Sequence, residues 1–179
     1  DEKFYDRAKK FALYQNDSGS FYTWDEYLAK VKENQTDKDK NTIILYAAHK
    51  DGQHAYIEGA KAKGYDVLLL DSPLISHLLQ KMEMEDQSVK FARVDSDLID
   101  NLIKKDENRV SKLSDGDKEK VKEAIESNVP KEKFTVRLED LDSAEPAFVI
   151  TVPEFMRRMR EMQATGGGGM YGMMGDMPE

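Results

Sequence analysis

Few residues in this chain have types and spacing suited to covalent or metal chemistry. There are three histidines, His49, His54 and His77, and no cysteine. His49 and His54 stand five apart, which does not set them on one helix face, and no H-E-x-x-H accompanies them. A zinc site therefore lacks its ligand set. Asp71 and Asp95 each follow an apolar run. An aspartate at a strand end is the arrangement of a phospho-acceptor, but that chemistry needs further carboxylates to hold magnesium. Ala47, Ala48 and His49, at the end of the first such run, supply none. Asp71-Ser72-Pro73 reads more simply as a helix start, an N-cap followed by proline at the first helical position. Neither phosphate-cradling glycine loop, G-x-G-x-x-G or G-x-x-x-x-G-K-[ST], is present. No Ser/His/Asp or paired-carboxylate arrangement stands at a diagnostic spacing. The residues name no catalytic, cofactor or metal position. A small-ligand or phospho-acceptor site at Asp71 and His49 remains an alternative.

Binding chemistry is better represented. Seven of nine methionines fall between Phe155 and Met177. A short helical stretch puts Phe155, Met156, Met159 and Met162 on one side, with Glu154, Arg157, Arg158, Arg160 and Glu161 on the other. Unbranched thioethers adapt to irregular apolar partners and are over-used on promiscuous surfaces. The ordinary expectation is that such a stripe faces a core. The four consecutive glycines that follow carry a large entropy cost on ordering.

The composition bounds the rest. A charged fraction of 35% and a net charge of -8 argue against a general nucleic-acid binder, which needs a basic face. No apolar run approaches the roughly 20 residues of a membrane-spanning helix, and the start, Asp1-Glu2-Lys3-Phe4, has neither basic n-region nor apolar h-region. The expectation is a piece cut from a longer chain at both ends. Cysteine-free composition fits a reducing compartment.

The elements follow from hydrophobic period. Residues 1–15 repeat Phe4, Tyr5, Ala8, Phe11 and Ala12 at helical spacing, and Asn16–Ser20 is a loop by composition. Thr23-x-x-Glu26 is a capping box opening a helix to about Asn34. Ile43–Ala47 and Val67–Leu70 are short apolar runs that suit strands buried on both faces. Val89–Val94 alternates and suits an edge strand. Helices at His54–Lys63, after Pro73 and at Leu98–Ile103 separate them. The predicted class is α/β: a small three-stranded parallel α/β/α sandwich preceded by helices. A charged helix over 117–128, an antiparallel hairpin over 134–152 and the amphipathic helix follow as an α+β segment. The predicted segments are 1–40, 41–113 and 114–179, with a polar hinge near 104–114.

The order of these segments is itself a signature. Phe21-Tyr-Thr-Trp-Asp-Glu-Tyr-Leu28, Asn34-Gln35, a tyrosine-bearing strand, Gly64-Tyr-Asp-Val-Leu-Leu-Leu70, Val136-Arg137-Leu138, Glu145-Pro146-Ala147 and the methionine helix occur co-linearly. Together they resemble the ninety-kilodalton heat-shock chaperone family, nearest its bacterial form, high-temperature protein G, over essentially the whole chain. The resemblance implies an ATP-driven, homodimeric, cytoplasmic chaperone of which this chain is the distal middle domain and the start of the C-terminal domain. ATP and magnesium would then be held by a preceding domain and dimer contacts made by following helices, so this part itself implies no ATP hydrolysis. It implies non-native client proteins as partners, and neither nucleic acid nor membrane. By position, Phe155, Met156, Met159 and Met162 become client contacts. Trp24 is a second candidate, against the ordinary expectation that a tryptophan is buried in packing. A purely structural linker between ATPase and dimerisation modules is a further alternative.

Overall fold

The computed structural model describes residue 7 and residues 9–72, 75–103, 113–139 and 147–164, the last four by backbone alone. The chain divides into two compact units, Asp1–Asp106 with Val149–Gly168, and Glu107–Phe148 with Gly169–Glu179.

The first unit is organised on strand β3, Thr42–Ala47. Every residue of β3 is buried, so its run of Ile, Leu and Tyr faces packing on both sides. It is the centre of a parallel sheet of order β4-β3-β5, with β4 at Val67–Leu69 and β5 at Val89–Arg93. Leu45 pairs with Val67 and Ile44 with Phe91. Because successive side chains alternate across a sheet, neighbouring β3 residues enter different cores. Ile44 and Tyr46 join Leu68, Phe91 and the helices α1 (Trp24–Val31) and α3 (Ile75–Glu85), through Tyr27, Val31, Leu79 and Met82. Ile43, Leu45 and Ala47 join Val67, Val94 and the helices α2 (His54–Ala62) and α4 (Ile99–Leu102), through Ile57, Ala60, Ile99 and Leu102. The predicted α/β/α sandwich is the observed one.

Local signals hold where they carry a mechanism. The Thr23 backbone N–H donates to the Glu26 carboxylate at 2.8 Å, closing the capping box. Gly64 takes φ +76 just after α2, and its carbonyl accepts from Asn34 Nδ2 at 3.0 Å.

Two expectations differ and one lies outside the described residues. The helix expected over residues 1–15 lies partly outside the described residues, and its end is strand: β1, Tyr14–Gln15, pairs antiparallel with β2, Phe21–Tyr22. Asn16 Oδ1 accepts from the Ser20 N–H at 2.9 Å and Gly19 sits at φ +84, which closes the turn. The Asp17 N–H then donates to the Val67 carbonyl at 2.9 Å, fastening the hairpin to the outer edge of β4. The start predicted at Pro73 lies outside the described residues, and the helix is described from Ile75. The alternating segments expected to pair over 134–152 form no strand among the described residues, and the turn between them lies outside these. In the second half the backbone bonds are taken elsewhere. The Ile150 carbonyl accepts from Tyr56 Oη at 2.7 Å, and the Val152 N–H donates to the Asp95 carbonyl at 3.1 Å.

In the second unit α5, Asp115–Glu126, is capped by Ser114, whose Oγ accepts from the Asp117 N–H at 3.2 Å. None of its residues is buried.

Candidate functional site

The amphipathic helix is present as α6, Glu154–Ala164. It is docked by its charged side. Arg157 is 5% exposed, whereas Phe155 is 71% exposed. Met156 and Met159 are half-buried, and the side chain of Met162 lies outside the described residues. The stripe expected to face a core is thus turned outward at Phe155, and from the side expected to face water Glu154, Arg157 and Arg158 are the residues that pack, while Arg160 is exposed.

The reason lies in what the sheet offers. Tyr46, the penultimate residue of β3, carries its hydroxyl to Glu154 Oε1 at 3.0 Å. Arg157 donates to both the Tyr46 hydroxyl and Glu154, and its guanidinium lies over the Tyr46 ring, 5.4 Å from the centroid. Arg158 bridges three elements. Its Nε donates to Glu154 at 2.7 Å, its Nη1 to Glu83 on α3 at 2.8 Å, and its Nη2 to the Phe91 carbonyl on β5 at 3.1 Å. A planar fork of five donors suits this better than an ammonium. Burial pushes the Tyr46 phenol up, and the Glu154 charge adds to it. For Glu154, burial pushes the carboxyl up, but hydrogen bonds and charge from Arg157 and Arg158 outweigh it and hold it below the ordinary value of 4.5.

That shift has a sign. A carboxyl whose folded value lies below its unfolded one contributes stability fully present above the unfolded value. The contribution is lost as pH falls through the folded value. The docking of α6 is therefore expected to weaken on acidification below about pH 4.5. Glu154→Gln should flatten that acid limb, read as amide exchange of α6 against pH. An unchanged limb would remove Glu154 from the linkage.

The strand ends hold no comparable arrangement. The Ala48 and His49 N–H groups both donate to Gln53 Oε1, at 2.8 and 2.9 Å. The amides that an anionic ligand would use there are already taken by a buried side chain. Asp95 is held by Arg93 Nε at 2.6 Å. Asp71, His49, His54 and His77 are exposed. Among the described residues no three His, Asp or Glu side chains are set to hold a metal. No described helix is long and apolar enough to cross a membrane.

Trp24 packs against the same core as Tyr46 and Phe91. It is half-buried, stacked on Phe91 at 5.7 Å between ring centroids and tilted against Tyr14 at 5.4 Å. Sequence reasoning missed Tyr46, Glu83 and the inward role of Arg157 and Arg158. The available signals were the i, i+3, i+4 spacing of Glu154, Arg157 and Arg158, which lets one carboxylate meet two guanidinia, and a tyrosine inside an otherwise aliphatic strand.

No family model matches the chain. It is 46% identical over 180 residues to chaperone protein htpG of Bacteroides fragilis strain YCH46. It is 43% identical to chaperone protein HtpG of Porphyromonas gingivalis strain ATCC 33277 and 42% identical to that of Bacteroides thetaiotaomicron strain VPI-5482. Each match takes in 98% of this chain and 26% of the relative, so the chain spans about a quarter of the length of these proteins. This chain is therefore homologous to a segment of the HtpG chaperones.

Proposed function

We propose that this chain is the client-contacting and domain-coupling part of an ATP-driven chaperone that binds non-native proteins and assists their folding. The observation that carries the reading is the orientation of α6: charges docked, Phe155 exposed beside half-buried Met156 and Met159. An apolar, adaptable surface rimmed by charge suits a partner without fixed shape. Met162 completes the set by position in the helix, and Trp24 is a lesser contact because most of its rings' partners are internal. ATP and magnesium belong to another part of such a chaperone, as do the contacts of a homodimer, and the whole acts in the cytoplasm. This part hydrolyses no ATP. Nucleic acid and membrane are not among its partners.

Phe155→Ser, Met159→Ser and Met162→Ser combined should weaken capture of a reduced, alkylated, permanently unfolded protein by about tenfold, from the apolar area lost. Far-ultraviolet circular dichroism should be unchanged. Unaltered capture would leave a structural linker as the role of this segment. Loss of the circular dichroism signal would mean the stripe is core.

A further inference from the structure

Strand β5 closes the sheet on one side, and an edge strand presents unpaired N–H and C=O groups on which another strand can build. Here the Val89 N–H donates to the Asp86 carbonyl at 3.1 Å and the Arg93 carbonyl accepts from the Ser96 N–H at 2.9 Å, while the groups between them are taken by side chains. The Phe91 N–H donates to Glu83 Oε1 at 2.8 Å, and the Phe91 carbonyl accepts from Arg158 Nη2 at 3.1 Å. The Arg93 N–H donates to Glu154 Oε2 at 3.3 Å. Beyond the strand, the Asp95 carbonyl accepts from the Val152 N–H at 3.1 Å. Along the edge, 91, 93 and 95 thus meet 158, 154 and 152 in reverse order, as an antiparallel neighbour would meet them. The segment is helix and loop, so it offers carboxylates and a guanidinium where a strand would offer its backbone. The other edge is closed differently, by the backbone of Asn16 and Asp17 on β4.

We propose that Glu83, Glu154 and Arg158 form an edge guard. They hold α6 along β5 in place of a fourth strand, and so keep that edge from pairing with an extended strand of a second copy of this chain. The guard is independent of whether the outward side of α6 contacts clients, because Glu154 and Arg158 lie on the docked side of α6 and Glu83 lies on α3.

The test is amide hydrogen exchange together with sedimentation, on Arg158→Ala and Glu83→Ala. Arg158→Ala is expected to speed exchange of the Arg93 amide and of α6 by about tenfold, and Glu83→Ala that of Phe91. Ile44 and Leu45, in the central strand, should keep their protection. Both variants should self-associate more than the parent at equal concentration, because an uncovered edge pairs. Exchange within twofold of the parent overturns the proposal, and so does faster exchange with no gain in self-association. Arg158→Lys keeps the charge but not the fork, and should show a smaller rise at Arg93. If central-strand protection is lost even there, the cluster is core and not a guard. No client is scored in either measurement, so failure of the client reading and failure of this one are separable.

Discussion

Ile44→Ala and Leu45→Ala are each expected to lower the unfolding free energy of the first unit by about 3 kcal/mol, the middle of the range for emptying a buried aliphatic site. Adjacent residues on a strand point to opposite faces, so one of a neighbouring pair is usually cheap to truncate. Here neither should be, because both are fully buried and each joins a different core. Ile44 shares its core with Tyr27, Leu68 and Leu79, and Leu45 shares the other with Ile57, Val67 and Ile103. The measurement is urea unfolding followed by the fluorescence of the single tryptophan, Trp24. Its ring stacks on Phe91 within the same unit, so it reports that unit's packing. A cost below about 1 kcal/mol at either position would mean that one helical layer does not close on the sheet.

That two-sided burial was readable from residues 43–47, because a continuous aliphatic run leaves no side for water. The alternation of Val89–Val94 likewise announced an edge, and β5 is one. The hairpin at Tyr14–Tyr22 was not readable as strand. Two residues per strand are too few to establish a period, and only its turn, Asn16–Ser20, had a local mechanism. The hairpin expected over 134–152 fails among the described residues for the opposite reason: alternation specifies faces, not a pairing partner. Ile150 and Val152 spend backbone groups on Tyr56 and Asp95. For α6 the helix and its two faces were legible, and the choice between them was not. Periodicity says that a helix has two unlike sides. Which one docks depends on what the receiving surface presents, and here that surface holds the Tyr46 hydroxyl, the Phe91 carbonyl and the Arg93 N–H. Such donors and acceptors belong to an assembled sheet and have no trace in the helix's own sequence.

Arg157→Ala is expected to cost about 3 kcal/mol, since removing one partner from a buried ion pair strands the other. Its guanidinium is 5% exposed and serves the Glu154 carboxylate and the Tyr46 hydroxyl. Arg158 stays bonded to Glu154 in the variant, which keeps the loss toward the lower end of the range for buried pairs. Arg157→Met should cost less than alanine, because it refills the volume over the Tyr46 ring while still leaving the hydroxyl without that donor. Phe155→Ser, on the same helix but 71% exposed, should move the unfolding free energy by no more than about 0.5 kcal/mol. The ranking matters more than any one value. In ordinary amphipathic helices the aromatic is the costly residue and the arginine the cheap one. Chemical unfolding of the three variants, read through Trp24, therefore decides which side of α6 holds it to the sheet. If Phe155→Ser proves costlier than Arg157→Ala, the helix docks by its apolar side, and no outward Phe155 surface remains to meet a client.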